Sequence, residues 1–194
     1  AQIYVTDLLG NHTQVTNRLE GACQPSWSPD GKQIVFISPC KLKSDTYPNS
    51  SLYIIDVDGS NLQPLPAVPG GDFEPAWSPN GTHIAFTSLR DGHMQIYLYN
   101  LQNKSVTRLV ETSDPSSAAR QPAWSPDGKM LLLSVEKGSS YTLAALSLED
   151  KKVTRIDGTQ STQPPGAAFS PDGKWVAYAA AALGTGIAAL FVQP

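Results

Sequence analysis

Four short segments are almost continuously apolar: Ile34-Val35-Phe36, Ile84-Ala85-Phe86, Leu131-Leu132-Leu133 and Val176-Ala177-Tyr178. Polar residues do not alternate within them, and none has the length of a core helix. A strand covered on both faces has this pattern. A second set follows downstream as Leu52-Tyr53-Ile54, Ile96-Tyr97-Leu98 and Leu143-Ala144-Ala145. A third, shorter set is Val106-Thr107-Arg108-Leu109 and Val153-Thr154-Arg155-Ile156. Helical periodicity of useful length is absent, so the pattern predicts an all-β chain of short strands.

Each apolar segment is preceded by the same punctuation. Gln24-Pro25-Ser26-Trp27-Ser28-Pro29-Asp30-Gly31 recurs as Glu74-Pro75-Ala76-Trp77-Ser78-Pro79-Asn80-Gly81 and as Gln121-Pro122-Ala123-Trp124-Ser125-Pro126-Asp127-Gly128. A fourth copy reads Gly166-Ala167-Ala168-Phe169-Ser170-Pro171-Asp172-Gly173. The aromatic positions 27, 77, 124 and 169 lie 50, 47 and 45 residues apart. That period is one four-stranded propeller blade. Ser-Pro-Asp-Gly suits a type I turn, with Pro fixing φ at the second position and Gly free to turn left-handed after it. The turn joins strand A to strand B, and strands C and D complete the blade.

The fold class read from this is all-β, a β-propeller of four-stranded antiparallel blades. Blades are expected over 23–66, 67–110 and 111–158. Residues 1–22 supply strands C and D of a preceding blade, through Ile3-Tyr4-Val5-Thr6-Asp7 and Gln14-Val15-Thr16. Residues 159–194 supply strands A to C of a following one, ending on Leu190-Phe191-Val192. Both ends carry a strand C, so the chain reads as an incomplete piece of a larger ring. Its start has a strand pattern rather than a leader pattern.

Pro75-Ala76-Trp77-Ser78-Pro79-Asn80-Gly81, Ile84-Ala85-Phe86-Thr87-Ser88, Arg90-Asp91-Gly92 and Gln95-Ile96-Tyr97 together resemble the TolB-like (WD-like) repeat. The resemblance extends through four repeats and nearly the whole chain. It departs in the last copy, where Phe169 replaces Trp and Ala179 to Ala182 replace a polar strand end. The resemblance implies a non-catalytic scaffold for protein or peptide binding in the periplasm or another extracytoplasmic space, since TolB binds other proteins of an envelope complex. The same repeat occurs in the propellers of prolyl-oligopeptidase-type serine peptidases, which gate a separate catalytic domain, and in sensor domains of membrane kinases. Remaining blades or domains of a parent protein are a further expected partner.

Charge narrows the partners. With 14 Lys plus Arg against 17 Asp plus Glu, the net charge is −3 and no basic block exists, which argues against nucleic acid. The most apolar stretch, Trp175 to Val192, is interrupted by Gly184-Thr185-Gly186, so no transmembrane segment is expected. Gly184-Thr185-Gly186-Ile187-Ala188-Ala189 matches a dinucleotide fingerprint, but it falls in a B–C loop without the required helix. A G-x-S-x-G elbow is absent, and Ser28, Ser78, Ser125 and Ser170 recur because the turn needs them. His12, His83 and His93 are scattered, and no Cys/His spacing suits zinc. Sequons begin at Asn11, Asn49, Asn80 and Asn103, all in expected turns or loops. No catalytic residue, metal or cofactor is expected.

The stereotyped A–B turns lie on one face, while the B–C and D–A loops on the other vary. From that variable face, Lys41, Lys43, Asp45 and Tyr47 in the first B–C loop are expected to meet a partner. Asp72, Phe73, Glu74, Asp114 and Arg120 are expected to do so from the D–A loops. Gln24, Glu74 and Gln121 share one repeat position just before the innermost strand, at the channel mouth. Such oxygens could hold a hard cation, but one carboxylate with two amides reads first as a solvated polar rim. Cys23 and Cys40 flank one hairpin closely enough for a disulfide. Bonded and free thiols both remain open, and a bond would agree with an oxidising compartment.

Overall fold

The computed structural model describes residues 1–40, 48–109, 117–181 and 188–193. Three complete four-stranded antiparallel sheets follow one another. The first holds β3 (Cys23–Trp27), β4 (Gln33–Ser38), β5 (Ser51–Asp56) and β6 (Gln63–Pro64). The second holds β7 (Asp72–Trp77), β8 (His83–Ser88), β9 (Gln95–Asn100) and β10 (Val106–Arg108). The third holds β11 (Ala118–Trp124), β12 (Met130–Lys137), β13 (Ser140–Ser147) and β14 (Val153–Arg155). β1 (Tyr4–Thr6) pairs with β2 (His12–Gln14) ahead of them, and β15 (Ala167–Phe169), β16 (Val176–Ala181) and β17 (Ala188–Gln193) form a three-stranded sheet after them. The fold is an all-β propeller arc that does not close into a ring. Among the described residues no helix is long and apolar enough to cross a membrane.

The second strand of each blade is apolar on both sides because it is sandwiched. Val35 and Ile37 pack with Phe73, Ile84 and Phe86 of the next blade, while Ile34 and Phe36 pack with Ile3 and Val15 of the preceding one. Leu131 and Leu133 meet Ala85 and Ile96, and Leu132 faces Tyr178 and Ala180. The core is therefore a row of interblade layers rather than one centre, and each blade depends on its neighbours for burial.

The A–B turns are fixed by one repeated bond set. Ser28 Oγ donates to Asp30 Oδ1 at 2.7 Å, and the Lys32 and Gln33 N–H groups donate to Asp30 Oδ1 and Ser28 Oγ at 3.1 and 2.9 Å. The same set recurs around Ser78 and Asn80, Ser125 and Asp127, and Ser170 and Asp172. Gly128 closes its turn at φ +71, and a Cβ there would also sit 3.4 Å from Pro79 Cγ of the preceding blade. Gly128→Val is expected to destabilise the protein by about 1–2 kcal/mol, from the left-handed backbone alone. An unchanged denaturation midpoint would show that the turn tolerates a β-branched residue.

These turns also carry an acid sensitivity. The Ser28, Ser125 and Ser170 hydroxyls, followed by the N–H groups of Lys32, Lys129 and Lys174, hold Asp30, Asp127 and Asp172 below the ordinary carboxylate range. A carboxyl lowered in the folded state contributes stability above its unfolded pKa and loses it as pH falls through the folded value. Asn80 fills the same place without a charge. Replacing all three aspartates with Asn should therefore reduce the drop in urea midpoint between neutral pH and about pH 3. An equal drop in parent and variant would exclude these carboxylates as its source.

Candidate functional site

The innermost strands of the three complete blades, β3, β7 and β11, bulge at the same place. Pairing jumps between Cys23 and Ser26, between Phe73 and Ala76, and between Arg120 and Ala123. Gln24, Glu74 and Gln121 occupy the bulge with φ of 53, 55 and 56. Non-glycine residues pay about 1–3 kcal/mol for such a conformation and keep it only where surrounding contacts over-determine it.

Those contacts form a ladder from blade to blade. The Glu74 N–H donates to Gln24 Oε1 at 2.8 Å, and the Gln121 N–H donates to Glu74 Oε2 at 2.9 Å. Thr87 Oγ1 donates to the same Glu74 Oε2 at 2.7 Å. Arg120 donates to Glu74 Oε1 through Nε at 3.0 Å and also through Nη2. Below this ladder the Trp77 N–H donates to Ser26 Oγ at 3.0 Å, and Trp124 Nε1 donates to the Ala76 carbonyl at 2.9 Å. Gln24, Pro25, Glu74, Pro75, Arg120 and Gln121 line a shallow groove of about 220 Å³.

Each blade ties the start of its strand A to the B–C side by different chemistry. In the first, Cys23 and Cys40 form a disulfide with Cα atoms 6.0 Å apart. In the second, Asp72 pairs with Arg90 at 3.2 Å, and the Arg90 guanidinium lies 4.4 Å over the Tyr97 ring. Burial pushes the Asp72 carboxyl up, opposed by the Ser88 hydroxyl and Arg90. Next to it, burial followed by the Asp91 hydrogen bond raises the Tyr97 hydroxyl to about 12. In the third, the β12–β13 ladder continues to Lys137 and Ser140, and Ala118 pairs with Glu136.

The structure brings Gln24, Glu74 and Gln121 together, joined by Arg120. Asp72, Phe73, Glu74 and Arg120 do not sit in loops: they lie within β7 and β11, and Asp72, Phe73 and Arg120 are buried, Phe73 completely. The bulge is the reason. It lets strand A start before the Glu or Gln position, turning these side chains inward, so Phe73 packs in the interblade core and is not offered to a partner. The cation reading also weakens, because both Glu74 oxygens are engaged by Arg120, Thr87 and the Gln121 N–H. Among the described residues no group of three or more His, Cys, Asp and Glu could hold a metal ion. Lys41, Lys43, Asp45, Tyr47, Asp114 and the Gly184-Thr185-Gly186 motif lie outside the described residues. Thr87 was not anticipated. The signal for it was the Gln/Glu-Pro pair at three equal repeat positions, which marks a fixed backbone feature rather than a free rim.

A family model described as the TolB beta propeller domain matches residues 1–191. TolB from Acinetobacter baumannii is similar at 27% identity and a TM-score of 0.81, over 98% of this chain and 45% of its own. A protein described as putative TolB from Agrobacterium tumefaciens is similar at 21% identity and a TM-score of 0.73, over 100% of this chain and 66% of its own. A structure from a study of two prolyl endopeptidases shares the fold at 17% identity and a TM-score of 0.66, over 98% of this chain and 30% of its own. No curated protein matches the chain. The chain spans about half to two thirds of the length of the TolB proteins it resembles.

Proposed function

The chain belongs to the TolB β-propeller family, and from that premise we propose that it is a non-catalytic scaffold binding a protein or peptide at the channel mouth. The observation that carries this reading is the run of left-handed Gln24, Glu74 and Gln121, held rigid by the interblade ladder. Strained backbone of this kind concentrates at binding clamps, and a rigid scaffold lets adjoining loops do the recognising. Lys41, Lys43, Asp45, Tyr47 and Asp114, expected from the sequence to meet a partner, belong to the same proposal. The half-buried Gln24, Glu74 and Gln121 form the floor of the mouth. A disulfide beside the mouth supports an oxidising compartment, and with the family it supports a periplasmic or extracytoplasmic location. The likeness to prolyl endopeptidases extends to the fold alone, so a gating role on a peptidase is not taken up.

The test is site-specific photocrosslinking in the native envelope. A benzophenone amino acid at the exposed Asn49, on the mouth side, is expected to give discrete protein adducts. The same probe at Lys151, in a C–D turn on the opposite face, is expected to give none. Equal labelling from both faces would remove the mouth as the binding surface.

A further inference from the structure

The ladder at the mouth stops one rung short. Gln24 Oε1 takes the Glu74 N–H and Glu74 Oε2 takes the Gln121 N–H. By the same step Gln121 Oε1 should take the N–H of residue 166, which holds the equivalent repeat position. Instead Gln121 Oε1 is buried without a hydrogen-bond partner, and so is Ser134 Oγ. Ser134 stands opposite Arg120 as Thr87 stands opposite Phe73, so it is the counterpart of the hydroxyl that supports Glu74. Two buried polar atoms are thus unpaired at one interblade step, which native interiors rarely leave so.

The cause is the pairing of β15. It runs without a jump from Ala167 opposite Tyr178 to Phe169 opposite Val176, and the Gly166 carbonyl accepts the Ala179 N–H at 2.9 Å. Gly166 is not left-handed here, although Gln24, Glu74 and Gln121 all are. Glycine enters that region with the least steric cost.

We propose that β15 has a second, latched state in which it adopts the same bulge, Gly166 turns left-handed and its N–H donates to Gln121 Oε1. In that state Pro165 takes the place that Arg120 holds in β11. A proline brings no N–H to the sheet, which weakens the latched pairing and keeps the two states close in free energy. Gly166 has no side chain to pass the ladder on, so the seam between β11 and β15 is where the mouth tightens or loosens. Control of partner binding by this seam rests on the function proposed above; the two states themselves do not.

Amide hydrogen exchange by NMR on the full-length protein tests the latch. Gln121→Glu supplies the carboxylate acceptor that Glu74 already uses, and should raise protection of the residue 166 amide roughly fivefold. Gly166→Ala penalises the left-handed state and should lower that protection by about tenfold. Exchange of the Glu74 and Gln121 amides should stay unchanged in both variants, since the lower rungs do not involve β15. Unchanged exchange at residue 166 in Gln121→Glu overturns the proposal whatever Gly166→Ala does, and so does a fully unprotected amide there in the parent protein.

Discussion

Replacing Arg120 with Met is expected to lower the unfolding free energy by about 3–5 kcal/mol, because it leaves the Glu74 carboxylate buried and uncompensated. The side chains of Arg120 and Glu74 are only 6% and 10% exposed, so water cannot take over the lost bonds. Glu74→Leu alone should also be costly, by taking the carboxylate partner from the buried Arg120 guanidinium and removing the acceptor of the Gln121 N–H and the Thr87 hydroxyl. The double variant should recover part of the loss, since paired removal of a buried ion pair is far cheaper than removal of one member. Urea denaturation of the four proteins as a double-mutant cycle measures this directly. Strict additivity would mean that the two side chains act independently and that the ladder does not run through them.

Breaking the Cys23–Cys40 bond is expected to cost about 3 kcal/mol, the loop-closure entropy for a separation of 17 residues. The bond closes a hairpin that is otherwise interrupted at the bulge between Cys23 and Ser26. Cys40 is also fixed by its N–H to the Glu20 carbonyl, and Gly21 packs directly on the Cys40 carbonyl. The stabilisation is therefore expected to appear in the unfolded chain rather than as a rearrangement of the blade. Denaturation with and without reductant, compared with Cys23→Ala/Cys40→Ala, separates the two effects. If reductant lowers the midpoint of that double variant as much as that of the parent, the disulfide is not the cause.

The architecture was legible because the repeat is physical punctuation. Ser28, Pro29 and Gly31 each do a local job that only one turn geometry allows, and Ile34-Val35-Phe36 must be buried on both faces. The strand pairings follow, since an antiparallel register is set by its turn. The juxtaposition of Cys23 and Cys40 was legible for the same reason, although local geometry permits a bond without requiring one.

The mouth was only partly legible. Repetition placed Gln24, Glu74 and Gln121 at one level, yet it assigned Asp72, Phe73 and Arg120 to loops. A bulge is a misfit between two strands, and only their pairing reveals it. Once the extra residue is accommodated, Phe73 turns into the interblade layer and Arg120 swings back onto Glu74 of the preceding blade. By itself, then, the sequence determined the turns, the four-stranded blade pattern and which strands must be buried on both faces, because each is written in residues close together along the chain. Which polar groups are spent inside the protein, and which remain for a partner, was decided by tertiary structure. Those bonds join residues nearly fifty positions apart, and no local pattern states which carboxylate a distant guanidinium or N–H will find.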